Sequence, residues 1–309
     1  MKKRKYYAPI SQKGYKKTAV KVSAVSIIGN AVLSVFKMLA GLFAHSGAMV
    51  SDAVHSASDV LSSIIVIIGV KLSAKESDKT HPYGHERFEC VAAIVLAVLL
   101  LISGLFIGHT AIEKITAGNV QEIAVPGILA LAAAVISIIS KEAMYWYTRF
   151  YAKRLDSGAL MADAWHHRSD ALSSVGALIG IAGSRMGFPV LDTVASLVIC
   201  VFIVKASYDI FKDAVSKMVD RSCSEELERE IMQYVSEQED VLGVDSIHTR
   251  VFGNRIYADI EICADGVISL SQSHDIAKRV HNAVEEKFVK IKHITVCVNP
   301  ACDKTSEQA

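Results

Sequence analysis

Long apolar stretches alternate with short polar segments over the first 212 residues of this 309-residue chain. Two stretches, residues 90–112 and 123–140, have 23 and 18 residues without Asp, Glu, Lys or Arg. A helix needs roughly 20 apolar residues to cross the hydrocarbon core of a bilayer. We therefore predict spans near 90–110 and 123–141. Four further stretches contain one to a few ionisable residues each and bring the prediction to six spans: 20–42, 47–71, 161–184 and 188–211. The alternative, a soluble helical core, would need several all-apolar helices buried in one domain.

The pattern changes after about residue 213 to shorter, amphipathic segments. It predicts two helices and three strands, namely helix 224–238, strands 244–252 and 255–263, helix 269–288 and strand 291–298. The second helix has an apolar face formed by Ile276, Val280 and Val284. The order α-β-β-α-β indicates a ferredoxin-like α+β domain. The predicted fold is thus a multi-pass α-helical membrane protein with six transmembrane helices and a C-terminal cytoplasmic α+β domain.

Charge divides the chain in the same way. The overall net charge is +1, which argues against nucleic acid as a partner. Residues 1–212 carry 22 Lys+Arg and 14 Asp+Glu, whereas residues 213–309 carry 11 and 18. Eight of the basic residues precede the first predicted span or begin it, and the loops on that side hold most of the others. Because basic residues favour the cytoplasmic side, we expect both termini in the cytoplasm and the protein in the cell membrane.

These patterns define four regions. They are a basic cytoplasmic N-terminus (1–19), a six-helix transmembrane domain (20–212), a cytoplasmic C-terminal domain (213–300) and a short tail (301–309). GxxxG spacings at Gly104–Gly108 and Gly176–Gly180 would allow helices within the transmembrane domain to approach closely.

An internal repeat places ionisable residues inside two predicted spans. Residues 51–63 and 162–174 are identical at eight of thirteen positions, with an offset of 111. The repeat pairs His55 with Asp59 and His166 with Asp170, each four residues apart and therefore on one helix face. Two such helices facing each other would offer two nitrogens and two oxygens, a set suited to Zn(II) and similar ions. Hydrogen bonds that only pack the helices are the alternative.

A second group of ligand types follows the second predicted span. Asp78, His81 and His85 fall within eight residues, and the intervening Pro82 and Gly84 favour a turn. These residues form a candidate metal site, with an ordinary solvated turn as the alternative. There is no GxxxxGK[ST] motif, and we expect no ATP binding.

The sequence resembles the cation diffusion facilitator family over nearly its whole length. The resemblance rests on six spans, the two His-x-x-x-Asp pairs, the Asp-x-x-His-Pro-Tyr-Gly-His loop and the α-β-β-α-β tail. It implies that the two pairs form the transport site and that Asp78, His81 and His85 bind metal in the loop. Family members with His at both first positions are similar to zinc transporters.

The same resemblance implies features of the tail. Arg87 and Asp220 match a charge interlock between the third and sixth helices, although two unrelated juxtamembrane charges would look the same. His274 matches a ligand position in the tail, and His248 lies close to another. The last strand offers Cys297 where the family has His, so a complete two-metal site is not expected; a single site formed by His274, Cys297 and His248 is the remaining hypothesis.

We therefore expect a homodimeric secondary transporter, not an enzyme. It would export a divalent transition-metal cation from the cytoplasm in exchange for protons, with Zn(II) as the leading candidate. It would need no prosthetic group. Export of Fe(II), Mn(II), Co(II) or Cd(II) is the first alternative, and a membrane metal sensor without flux is the second. An intramembrane metalloenzyme is disfavoured because the sequence has no HExxH motif.

Overall fold

The computed structural model describes residues 12–43, 47–116, 128–185 and 190–301. The chain divides into two compact units between Val215 and Ser216. We call Gln12–Val215 the helical unit and the chain from Ser216 the tail unit.

The helical unit is built from six described helices of 27 to 32 residues, the last of which ends in the first residues of the tail unit. They are α1 (Gln12–Phe43), α2 (Gly47–Ser73), α3 (Phe88–Thr116), α4 (Ile128–Leu155), α5 (Gly158–Arg185) and α6 (Val190–Met218). With a rise of 1.5 Å per residue, the shortest is about 40 Å long. Within the described ranges, Gly14–Ala40 and Phe88–Glu113 are also apolar enough to cross a membrane, judged by length and composition alone.

Polar side chains occupy much of the interior of the helical unit, whereas large apolar side chains cover its outside. Ser23, Asn30 and Asp163 are fully buried. Ile28, Phe106 and Val201 are each more than 60% exposed. Buried polar side chains and exposed large apolar ones are both less common in water-soluble proteins. This arrangement is expected where lipid surrounds the bundle and ionisable groups face inward.

Close contact between α3 and α6 depends on the GxxxG spacing in α3. A Cβ atom added to Gly104 would lie 2.9 Å from Ile203 Cγ2, and one added to Gly108 would lie 2.6 Å from Cys200 Sγ. Both distances are shorter than a normal van der Waals contact between two heavy atoms. Glycine at these two positions therefore allows α6 to pack directly on the backbone of α3.

The tail unit contains two helices and a three-stranded sheet in the predicted order α-β-β-α-β. The elements are α7 (Glu225–Ser236), β1 (Gly243–Phe252), β2 (Arg255–Ala264), α8 (Leu270–Lys287) and β3 (Ile291–Pro300). The sheet order is β1-β2-β3. A tight turn containing Gly253, with φ of 58°, joins the antiparallel pair β1 and β2, and α8 connects β2 to the parallel strand β3.

The two helices cover one face of this sheet. Ile276, Val280 and Val284 of α8 are buried as predicted, and they belong to one core with Ile231 of α7 and Ile260 of β2. Both helices begin with a serine cap. Ser224 accepts a hydrogen bond from the third residue of α7, and Ser269 forms a capping box with Gln272 at the start of α8. The sequence prediction for this domain is therefore confirmed in its element order.

Candidate metal-transport site

Helices α2 and α5 bring three of the four repeat residues together inside the helical unit. Asp59, His166 and Asp170 each offer a ligand atom, and these atoms lie within 4.8 Å of one another. His166 Nε2 is 3.3 Å from Asp59 Oδ1. In a tetrahedral zinc site with bonds of about 2.0–2.2 Å, neighbouring ligand atoms are about 3.3–3.5 Å apart. The spacing of this pair therefore fits one shared metal ion.

The fourth repeat residue is His55. Its backbone lies in α2, one turn before Asp59, but its side chain lies outside the described part of the structure. The side chain of Asp52 is likewise outside it. The described donor set is thus one imidazole and two carboxylates, and the role of His55 stays a prediction.

Lys141 lies at the centre of this site, which the sequence analysis did not predict. Its Nζ atom is 2.5 Å from Asp59 Oδ2 and 2.9 Å from Asp170 Oδ2. It also donates a hydrogen bond of 2.8 Å to Asn30 Oδ1 of α1. The lysine is 2% exposed, as is Asp59. One ammonium group therefore bridges the two carboxylates that are expected to bind the transported metal.

The position of Lys141 corrects one sequence interpretation. The charge-free stretch before Lys141 predicts a span near 123–141 that ends at this lysine. In the structure, α4 continues to Leu155, and Lys141 is buried in the middle of the helix. A charged residue inside a span is rare but faces the bundle interior when it has a partner there, and the two carboxylates provide one.

A stripe of polar residues along α1 is the sequence signal that could have indicated the polar surroundings of Lys141. In α1, the buried residues Ser23, Ser26, Asn30 and Lys37 follow one another at intervals of three, four and seven residues. These intervals put them on one face of the helix. A stripe of this kind in an otherwise apolar helix indicates a polar bundle interior, in which Lys141 can find partners.

Asp163 and His167 form a second buried pair beside the site. Ser62 and Ser63 of α2 donate hydrogen bonds of 3.4 and 3.1 Å to Asp163 Oδ1. His167 Nε2 is 3.7 Å from Asp163 Oδ2. The sequence repeat matches Asp163 with Asp52 but does not by itself give either residue a role. Its contacts show that it links α5 to α2, the two helices that carry the repeat.

The loop between α2 and α3 brings Asp78, His81 and His85 together as the sequence suggested. Their ligand atoms lie within 4.8 Å of one another. His81 Nδ1 is 3.5 Å from Asp78 Oδ1, and His85 Nε2 is 3.4 Å from Asp78 Oδ2. His85 Nδ1 donates to the carbonyl of Glu76 at 3.2 Å. A neutral imidazole that donates from Nδ1 presents its lone pair at Nε2, which is the atom that faces Asp78.

Hydrogen bonds hold the Asp78 carboxylate in its charged form. Lys75 Nζ donates to Oδ2 at 2.7 Å, Thr80 Oγ1 donates to Oδ1 at 2.7 Å, and the backbone amide of His81 donates to Oδ1 at 2.8 Å. These donors, with Lys75 the largest contribution, lower the pKa of Asp78 far below its usual range. The loop therefore presents an ionised carboxylate to any cation.

The structure does not bring together the three residues proposed for the tail site. His248 pairs with Asp259, and Cys297 pairs with Glu261, so β2 lies between them and they are two positions out of register. Neighbouring strands are about 4.8 Å apart, which places the two backbones about 10 Å or more from each other. His274 lies on α8. A shared site within one chain is therefore not formed by these residues.

The two residues of the proposed charge interlock belong to different units of the chain. Arg87 directly precedes α3, whereas Asp220 follows α6 with a φ of 60°. Since one residue belongs to the helical unit and the other to the tail unit, their interaction stays a prediction.

Comparison with known proteins assigns both parts of the chain. Residues 23–219 match the cation efflux transmembrane domain, and residues 223–301 match the cytoplasmic domain of cation efflux proteins. The chain belongs to the cation diffusion facilitator family. As a member of this family, it is a membrane protein that exports a divalent metal cation.

Relatives of this cation diffusion facilitator include proteins named for metal tolerance and for manganese efflux. It is 36% identical to an uncharacterised transporter of Methanocaldococcus jannaschii, over 84% of this chain and 91% of that one. It is 32% identical to metal tolerance protein C1 of Arabidopsis thaliana, over 91% and 62%. It is 31% identical to the manganese efflux protein MneP of Bacillus subtilis, over 91% and 95%. A solved structure of the MamM C-terminal domain matches 25% of this chain and 98% of that one, with 27% identity and a TM-score of 0.25.

Proposed function

We propose that this cation diffusion facilitator is a homodimer in the cell membrane that exports Zn(II) from the cytoplasm in exchange for protons. The observation that carries the proposal is the cluster of Asp59, His166 and Asp170 around Lys141. An imidazole together with carboxylates is a common donor set for Zn(II). His55, on the same face of α2 as Asp59, would complete a tetrahedral set.

The bridging lysine suggests how two carboxylates can lie close together inside the bundle before a metal ion binds. Two carboxylates close together in a low-dielectric interior repel each other strongly. Lys141 supplies a positive charge while no metal is bound. An arriving divalent cation would take over this role and displace the ammonium, so both the empty and the loaded site would have compensated carboxylates.

Proton exchange follows from the chemistry of the ligands. A histidine that binds metal must be neutral, and a carboxylate must be ionised, so loading the metal releases protons from any protonated ligand. Protons can therefore compete with the metal on the opposite side of the membrane. A proton gradient would then drive export without ATP.

The helical unit supports a six-span arrangement. Each of α1 to α6 is longer than the roughly 30 Å hydrocarbon core, and large apolar side chains of α1, α3 and α6 point outward. The polar residues that lower the hydropathy of the other helices, such as Asp59, Lys141 and Asp163, are buried. With the basic residues on one side of the membrane, both termini would be cytoplasmic.

Uptake into inside-out vesicles tests the transport proposal. Zn(II) accumulation should rise when an acid-inside pH gradient is imposed, and it should be lost in Asp59→Asn and Asp170→Asn. Asp209→Asn is a matched control, because Asp209 is exposed on α6, and it should transport normally. Uptake that does not respond to the gradient would contradict proton exchange, and normal uptake in both site variants would contradict the site.

Manganese efflux is the second candidate. Two of the three described ligands are carboxylates, which suit harder ions such as Mn(II), and the relative MneP is named as a manganese efflux protein. The same vesicle assay across a panel of metals separates the candidates. Preferential Mn(II) uptake by the parent chain would replace Zn(II) as the substrate.

A further inference from the structure

A third cluster of ligand atoms lies in the tail unit and includes none of the ligand candidates discussed so far. His281 and Glu285 are one turn apart on α8, and His293 lies near the start of β3. Each offers one ligand atom, and these atoms lie within 4.8 Å of one another. His281 Nε2 is 3.2 Å from Glu285 Oε1, and His293 Nδ1 is 3.3 Å from the same oxygen. These distances match the edges of about 3.3–3.5 Å expected in a tetrahedral zinc site.

A backbone contact orients the first of these ligands. His281 Nδ1 donates a hydrogen bond of 2.7 Å to the carbonyl oxygen of Ile294, a fully buried core residue. The carbonyl can only accept, so Nδ1 must carry the hydrogen. In the neutral ring the lone pair is then on Nε2, which points at the Glu285 carboxylate. Metal-binding histidines in proteins are typically fixed in this way by a bond from the other ring nitrogen.

The resulting contact requires a positive charge. In neutral His281, the Nε2 lone pair would face an oxygen lone pair of Glu285 at 3.2 Å, with no hydrogen between them. A second imidazole approaches the same oxygen from β3, with the two ring centroids 5.2 Å apart. A proton on an imidazole or a metal ion in the centre would each remove the repulsion. Of these two, only a metal ion would be bound by all three side chains at once.

We infer that His281, Glu285 and His293 form a binding site for Zn(II) or a similar divalent cation in the cytoplasmic domain. The three side chains are 29%, 32% and 54% exposed, so an ion can reach them from the solvent. A water molecule would fill the fourth tetrahedral position. Because the ligands come from α8 and β3, bound metal would link this helix to the edge of the sheet.

Counting bound zinc tests this inference on the full-length chain. The purified protein is dialysed against buffered Zn(II), and zinc is measured per chain for the parent and for His281→Gln/His293→Gln. We expect the double variant to bind one equivalent fewer. Glu285→Gln, which changes charge but hardly changes shape, should weaken binding of that equivalent at least tenfold. Gel filtration and circular dichroism check that each variant remains folded.

His109→Gln is the matched control. His109 and Glu113 have the same four-residue spacing on α3, with 3.6 Å between Nδ1 and Oε2, but they do not belong to a three-ligand cluster among the described residues. The control should bind as much zinc as the parent. Equal stoichiometry in the parent and in the folded His281→Gln/His293→Gln variant would overturn the inference and leave a protonated histidine as the charge beside Glu285.

The test is independent of transport. The same comparison is made in chains that also carry Asp59→Asn, in which the transport site is disabled. Loss of one equivalent in that background supports the tail site even if vesicle transport fails. Conversely, normal transport with unchanged stoichiometry would reject the tail site and leave the transport proposal intact.

Discussion

Replacing Lys141 with methionine tests whether the transported metal takes the place of a built-in cation. Methionine keeps much of the length of the side chain but removes its charge. In the empty site, Asp59 and Asp170 then lose the ammonium group that bridges them at 2.5 and 2.9 Å. Removing one partner of a buried ion pair typically destabilises a protein by ~3–5 kcal/mol, because the remaining charge is uncompensated.

Metal binding should remove this destabilisation. The variant should therefore bind metal more tightly than the parent. A bound divalent cation compensates both carboxylates, so the loaded variant does not carry the penalty of the empty one. At about 1.4 kcal/mol per tenfold change in affinity, 3 kcal/mol corresponds to about 100-fold. Water that enters the empty site reduces this difference. We therefore expect Lys141→Met to bind Zn(II) at least about tenfold more tightly than the parent.

Two measurements on the purified chain check this prediction. Thermal unfolding without metal should occur at a lower temperature in Lys141→Met, and saturating Zn(II) should narrow the difference. Competition with a fluorescent chelator gives the affinity. Lys153→Met is the control, since Lys153 is exposed on the same helix, and both quantities should stay at the parent values. Weaker or unchanged Zn(II) binding in Lys141→Met would refute the exchange of cations and make Lys141 a residue that positions the ligands.

Three further predictions concern selectivity, the loop and helix packing. Substituting His55→Asp should relax discrimination against Mn(II) in the vesicle assay; an unchanged metal profile would place selectivity elsewhere. Because the folded loop lowers the pKa of Asp78, its hydrogen bonds stabilise the loop above the ordinary aspartate pKa of about 3.9 and are lost as the pH falls through the lower folded value. Hydrogen exchange of the loop amides, corrected for intrinsic rates, should therefore show equal protection at pH 7 and pH 5. The amides of Asp78→Asn should exchange faster at both pH values. A loss of protection in the parent already at pH 5 would contradict this assignment. Gly104→Ala/Gly108→Ala should destabilise the chain by about 1–3 kcal/mol through overpacking, measured by thermal unfolding, whereas Gly243→Ala, with no atom within 4 Å of the added carbon, should not.

Local sequence patterns were enough to predict the elements of this fold. The tail helices and strands follow from periodicity, because Ile276, Val280 and Val284 repeat at the helical interval and all three are buried. The convergence of α2 and α5 followed from the repeat. Two copies of one motif, each costly at membrane depth, have a physical reason to face each other.

Contacts between distant segments could not be predicted in this way. Lys141 is 82 residues from Asp59 and 111 residues from Asn30, and counting charges treats such a lysine as the end of a span. The tail ligands show the same limit. His248, His274 and Cys297 were chosen by position in the sequence, but strand order and register separate them. His281 and His293 meet only because α8 packs beside β3.

The three ligand clusters differ in the way they compensate a carboxylate, and the difference follows from their surroundings. In the loop and in the tail, a backbone carbonyl holds Nδ1 of His85 or His281, and Nε2 faces a carboxylate that is about one third exposed. Solvent can screen that carboxylate when no metal is bound. Asp59 in the bundle is almost fully buried, so solvent cannot do the same. A cation attached to the chain is then required, and Lys141 provides it. On this reasoning, removal of zinc should lower the thermal stability of the bundle more in Lys141→Met than in the parent, whereas in the loop and the tail solvent also screens the carboxylates.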